Sequence, residues 1–278
     1  LVRLALAACC FSSTINAAES STPGSGELKP LWELGFGAGV LNAPGYPSSS
    51  ETQVRGLALP YVIYRGDVLR IGDGQSVRAV AFDSDRVELD LCFAASFDSD
   101  TEAGELRDGM PDLDYLFQLG PQMRIELSET TFADQSVGTL TLALQARGMF
   151  STDLGSINHH GYVFEPMLQY EHVGFLSPNL EATFSLKPQW ATRQLHQYFF
   201  EVQPEFATPV RAAYRADGGY FGTGLNLYGR YHISEKLNIF FGVQMMSYHG
   251  AANRASTLFE KDFTFGFGAG FILMLFES

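Results

Sequence analysis

From Leu31 onward the sequence alternates apolar and polar residues with a period of two, over runs longer than the strands of most soluble sheets. Between 262 and 275, Phe263, Phe265, Phe267, Ala269, Phe271, Leu273 and Leu275 share one face, while Thr264, Gly266, Gly268 and Gly270 share the other. Between 180 and 190, Leu180, Ala182, Phe184, Leu186, Pro188 and Trp190 oppose Glu181, Thr183, Ser185, Lys187 and Gln189. The runs at 139–150 and 87–97 are as regular, and those at 32–40, 56–64, 114–127, 162–173, 220–232 and 237–248 less so. A strand tilted across a membrane needs about nine to eleven residues, whereas soluble strands average about five or six. These ten runs are of the longer kind. The expectation is therefore all-β: a transmembrane antiparallel up-and-down barrel.

Composition bears on the choice at three points. Only 18% of residues are charged and the chain carries 23 Phe, 12 Tyr and 28 Gly, which excludes a disordered chain. No stretch beyond the N-terminus approaches the roughly 18 apolar residues of a membrane helix, so a helical membrane protein is excluded. The net charge of -13 argues against nucleic acid as a partner, because phosphates demand basic surface. Aromatic residues gather at the run ends, among them Trp32, Tyr61, Tyr64, Tyr115, Tyr162, Tyr170, Trp190, Tyr220, Tyr231 and Tyr248. Their amphipathic rings suit the headgroup level of a bilayer.

Connection lengths test the barrel independently. Short connections at 129–135, 175–178 and 234–236 alternate with longer ones at 98–112, 151–159, 191–217 and 250–261. Counted back from a last strand that ends in the periplasm, the short set is periplasmic and the long set external, as outer-membrane barrels require. The segment 65–85 holds two short apolar stretches about Gly72-Asp73-Gly74. If both are strands the barrel has twelve; if they form a small hairpin it has ten. Twelve is the expectation.

Residues 1–18 read as a secretory signal peptide, with Arg3, an apolar run and small residues ending Asn16-Ala17-Ala18. Leu6-Ala7-Ala8-Cys9 also resembles a lipoprotein box, but the apolar run before Cys9 is short, so cleavage near Ala18 is expected. Residues 19–30 form a flexible Ser-, Gly- and Pro-containing lead-in, and 31–278 the barrel. Cys92 is then the one Cys of the mature chain, which permits no internal disulfide.

Several phrases resemble the MipA/OmpV family of Gram-negative outer-membrane proteins (MltA-interacting protein). They are Leu59-Pro60-Tyr61 followed by Tyr64-Arg65-Gly66-Asp67, then Leu119-Gly120-Pro121, then Tyr198-Phe199-Phe200-Glu201-Val202 and Tyr214-Arg215-Ala216-Asp217-Gly218-Gly219. The resemblance runs from about 31 to 276. Family members usually end in an aromatic residue, whereas here Phe276 is followed by Glu277-Ser278. The resemblance implies a non-enzymatic scaffold that brings a murein lytic transglycosylase together with a peptidoglycan synthase, in envelope maintenance. The short periplasmic turns offer such partners little surface.

Signs of chemistry are sparse. His232 and Ser234 share a strand face, as a base and nucleophile would, and their spacing resembles lipid A deacylase barrels. They fall at a periplasmic turn, however, so a turn Ser beside a rim His is the favoured reading. His159-His160 and the acidic run of Asp98, Asp100, Glu102, Glu105, Asp108 and Asp112 lack the spacing of a metal site and read as solvated loops. Neither metal nor cofactor is expected.

The inward faces are more telling. Taking the polar face of each strand inward assigns Glu33, Glu88, Asp90, Asp114, Arg124, Glu126, Arg147, Glu165, Glu171, Glu181, Lys187 and Arg230 to the lumen. Acids outnumber bases eight to four, and each base can pair with an acid. Long paired side chains can fill so narrow a barrel, so a structurally packed lumen is favoured over a conducting pore. If the lumen conducts, the acid excess calls for small cationic solutes.

Overall fold

The computed structural model describes residues 30–66, 68–71, 77–84, 86–96, 106–153 and 155–278. The expected signal peptide and, apart from Pro30, the lead-in lie outside them. Twelve strands follow in order: β1 (Trp32–Pro44), β2 (Thr52–Arg65), β3 (Leu69–Ile71), β4 (Val77–Asp83), β5 (Val87–Ser96), β6 (Tyr115–Thr131), β7 (Val137–Thr152), β8 (Ile157–Val173), β9 (Leu180–Ala191), β10 (Gly219–His232), β11 (Leu237–Ser247) and β12 (Phe263–Glu277). Each pairs antiparallel with its sequence neighbour and β1 closes on β12, so the sheet closes on itself as a ring.

The segment 65–85 completes the ring with two strands, one of them minimal. β3 joins β2 through Tyr64–Ile71 and Arg65–Arg70 alone, and continues into β4 through Leu69–Ala79 to Ile71–Val77. Among the described residues the wall is thinnest here.

Alternation along the strands sorts the side chains into two surfaces. Phe36, Val40, Leu89, Leu91, Leu119, Leu168, Leu186, Leu225, Phe241, Val243, Phe265, Phe267 and Phe271 are exposed on the outside. An apolar belt of that size is a liability in water and a contact surface in lipid. No helix among the described residues is long and apolar enough to cross a membrane. Trp32 packs on Tyr64 at 4.3 Å, and Trp190 on Tyr220 at 5.7 Å, at opposite ends of the belt. Two of the expected girdle residues sit elsewhere. Tyr61 turns inward against Ile63, Ile272 and Met274, and Tyr248 is buried among the loops.

Leu31 and Ser278 are hydrogen-bonded at one end of the barrel, the terminal end, with short turns around them. At the other end the connections fold together. Helix α1 (Arg193–Phe200) sits in the β9–β10 connection and turns Leu195, Phe199 and Phe200 into an apolar cluster with Tyr46, Leu113, Leu116, Val202, Phe221 and Leu258. The connection at 191–217 is long, as expected, and burial of these aromatics packs it into a plug. The expected loop at 151–159 is shorter as well. β7 and β8 run on to Thr152 and from Ile157, so His159 and His160 are strand residues.

Candidate functional site: the lumen and its two ends

At the terminal end the inward charges stand in pairs. Glu33 binds Arg65 at 2.5 Å, Arg70 reaches Asp83 at 3.0 Å and Glu88 at 3.3 Å, and Glu181 lies 2.9 Å from His232 and 3.6 Å from Arg230. The Glu33, Arg65, Glu181 and Arg230 side chains keep 16–20% exposure, so solvent enters this mouth. His232 therefore serves Glu181, while the Ser234 hydroxyl accepts the Leu237 N–H in the turn. The structure turns the two residues of the considered nucleophile pair to different partners.

Deeper in, the lumen becomes dense. Asp90, Gln122, Gln145 and Glu165 are successive cross-strand partners on β5 to β8, forming one polar row. Arg147 donates to Glu165 at 2.9 Å, with both side chains at 7% exposure or less, and Gln189 also donates to Glu165. Lys187, Asn226 and Glu171 are buried on the same inner surface. Arg124 opposes Glu88 and Ala143, and Glu126 opposes Thr141, both below the row. Of the sequence-assigned inward residues, only Asp114 lies outside a strand, just ahead of β6, where it accepts from Ser151 at 3.4 Å. The sequence reading missed Gln122, Gln145 and Asn226 because it followed charge; they occupy the same alternate positions as the charged residues. Cys92 is buried on this face too.

The opposite inner wall, on β1 and β12, carries glycine. A Cβ at Gly270 would stand 2.4 Å from the Ala38 carbonyl oxygen, and one at Gly35 2.4 Å from that of Leu273. Glycine there lets adjacent strands close up while leaving backbone as the wall.

The loop end is sealed by hydrogen bonds between distant connections. Buried Arg107 donates to the carbonyls of Phe199 (3.2 Å) and Pro111 (3.1 Å) and lies 5.8 Å over the Tyr46 ring. Arg211 donates to the carbonyls of Phe206, Leu106 (2.6 Å) and Asp108 (2.9 Å). The Tyr46 hydroxyl donates to Leu258 O and Glu260, Ser256 to Phe200 O, and Asn253 to Asp217 O. Burial lowers the Arg107 pKa and raises that of Tyr46, with Glu260 adding to the latter. Tyr198 is pushed up to about 12 by burial and then by Asp114. Its ring packs tilted against His160 at 4.1 Å, and His160 in turn contacts the Ser151 hydroxyl at 2.8 Å. That histidine is part of the seal, not a solvated loop residue.

Within the acidic run, Asp98, Asp100, Glu102 and Glu105 lie outside the described residues. Among the described residues no group of three or more His, Cys, Asp or Glu could hold a metal.

A family model described as MltA-interacting protein MipA matches residues 36–273. No curated protein matches the chain closely. Among solved structures, a bacterial polysaccharide outer membrane secretin is similar at 10% identity, covering 90% of this chain and 100% of that one, with a TM-score of 0.39. OprB of Pseudomonas putida matches at 9% identity over 89% and 94%, TM-score 0.37. The COG4313 outer membrane channel from Pseudomonas putida F1 matches at 11% over 90% and 99%, TM-score 0.35. Likenesses this distant carry no argument.

Proposed function

Because the chain belongs to the MltA-interacting protein MipA family, we propose that this outer-membrane barrel is a non-enzymatic scaffold that holds a murein lytic transglycosylase, and with it a peptidoglycan synthase, at the periplasmic face. The observation that carries the reading is the asymmetry of the two ends. The loop end is closed by the buried cluster around Leu195, Phe199 and Leu258, whereas the terminal end is open and charged. In this reading residues 1–18 are the export signal, 19–30 the lead-in and 31–278 the barrel. The terminal end faces the periplasm and the belt contacts outer-membrane lipid.

The rim offers a specific docking surface for the transglycosylase. The last bond from β6 toward β5 runs from the Glu126 N–H to Arg86 O. Beyond it Leu127 stands at a register shift, Ser128–Thr131 pair with β7 alone, and all five are exposed. An exposed edge of this kind accepts an extended segment of a partner by strand addition. Glu129 beside it and Asp134 in the turn favour a basic segment. Hydrogen bonds from the Ser136 hydroxyl and N–H hold the Asp134 carboxyl below its usual range, which keeps it ionised. The sealed loop end speaks against the other reading, a resting channel for cationic solutes.

The test is photo-crosslinking in intact cells, with the reactive residue at Thr130 or, as a control, at Val210 in the plug. Adducts with a lytic transglycosylase from Thr130 and none from Val210 are expected. Equal adducts from both positions, or none from Thr130, would overturn the docking assignment.

A further inference from the structure

Beyond Glu126 the wall continues as a tongue of β6 and β7 backed by β8, through the pairs Thr131–Val137 and Val137–Val173. At its turn the Gln135 N–H donates to Phe132 O and the Phe132 N–H to Ser136 O. The second bond fixes which way the β6 backbone points. Alternate residues of an antiparallel strand bond to the same neighbour, so Ser128 and Thr130 face β7 as Phe132 does. The N–H and C=O groups of Glu129 and Thr131 therefore point to the free edge, where among the described residues no strand pairs with them.

A cluster on the outer face of the tongue holds this edge in place. Tyr170 and His172 alternate with Gln169 and Glu171, which are buried on the inner face. Ser136 Oγ donates its one proton to Asp134 Oδ1 at 2.7 Å, so toward His172 it can only accept. His172 Nε2 then carries the ring proton and donates to Ser136 Oγ at 3.0 Å, while Nδ1 accepts from the Tyr170 hydroxyl at 3.0 Å. The result is a directed chain from Tyr170 through His172 and Ser136 to Asp134 at the tip. The His172 ring also stacks on Phe132, with 5.1 Å between centroids and 14° between planes. Gly138 leaves room for both: a Cβ there would stand 3.0 Å from Phe132 Cε2 and closer still to the Tyr170 hydroxyl. Gln135 in the turn lies at φ +68°, a left-handed position that a side chain keeps only where its surroundings impose it.

We propose that His172 is the positioning residue of the docking edge. It locks the tongue in strand geometry, so that the Glu129 and Thr131 backbone groups meet an incoming extended segment already aligned. Binding then costs less ordering than it would on a loose hairpin. The identity of the partner rests on the scaffold reading above, whereas the clamp is a property of the barrel alone.

The competing account makes the cluster an anchor that steadies the whole wall. Amide exchange on the full barrel in detergent separates the two, read over 127–137 in the tongue and 116–125 in the wall. His172→Phe keeps the stack on Phe132 and removes both hydrogen bonds, and Ser136→Ala cuts the chain at its other end. Each should speed exchange over 127–137 by about tenfold and leave 116–125 and heat-modifiable migration unchanged. His172→Gln, whose amide can still donate to Ser136, should recover part of the protection. In cells, adducts of a lytic transglycosylase with a photo-reactive residue at Thr130 should fall by about the same factor in His172→Phe. Unchanged exchange in both variants, or equal loosening of 116–125, would overturn the clamp. Full adduct yield from a loosened tongue would overturn the positioning role. A wild-type barrel that gives no adduct from Thr130 removes the docking edge itself, even where the exchange result stands.

Discussion

Gly161 shows how one residue re-aims a strand. It lies at φ +86°, and a Cβ there would fall 2.0 Å from Thr192 Oγ1. The β7–β8 register shifts at this point, so that Gly161 and His160 together oppose Met149. Simple alternation would turn His160 outward with Tyr162; the bulge turns it inward to Ser151 and Tyr198. Gly161→Ala is therefore expected to destabilise the barrel by about 1–3 kcal/mol, read by urea unfolding in detergent. A change within error would remove the bulge from the account. Arg211 is expected to matter comparably. Arg211→Ala removes the buried charged donor to the carbonyls of Phe206, Leu106 and Asp108, at a cost of about 1.5–3 kcal/mol. Its signature is faster proteolysis confined to the plug; unchanged proteolysis would show that Arg211 is not a latch. Neither residue could be recognised from sequence, because a bulge adds no break in composition and the Arg211 acceptors are backbone groups up to 105 positions away.

At the scale of elements, what repeats locally was legible and what depends on distant packing was not. The long runs such as 180–190 announced β9 because alternation is a property of the strand itself. β3 is three residues long and exists because β2 and β4 flank it. α1 is harder still: Thr192 supplies no side-chain cap, and its residues Arg193–Phe200 gain their helical order from burial of Leu195, Phe199 and Phe200. The lumen residues fall between these cases. Their inward placement followed from alternation, but pairing such as Arg147 with Glu165 required the register. α1 also carries a pH dependence. Burial lowers the His196 pKa below its ordinary 6.5, against a smaller opposing effect from its hydrogen bond to Gly219 O. The unfolded segment therefore takes up the proton first. The stabilising contribution is complete above 6.5 and is lost as pH falls below it. Amide exchange should show α1 loosening as pH falls from 7 toward 5, with the effect absent in His196→Gln. Exchange that is flat with pH, or equal in the variant, would contradict this.

For the whole molecule, the middling hydropathy of the sequence is the average of two surfaces. An apolar belt including Phe265, Phe267 and Phe271 faces lipid, and a polar inner face is arranged in pairs and rows. Among the described residues the loop end is filled by the plug and the middle by buried Gln122, Gln145, Arg147 and Glu165, while the charged pairs at the terminal mouth keep partial exposure. On the proposed reading, a closed barrel of this form gives the membrane an anchor with one working face. Planar-bilayer recording of the wild-type barrel, with insertion verified by its heat-modifiable migration, tests that account most directly. No steady conductance steps are expected at moderate voltage. Large, steady steps would contradict the sealed barrel and the one-faced scaffold built on it.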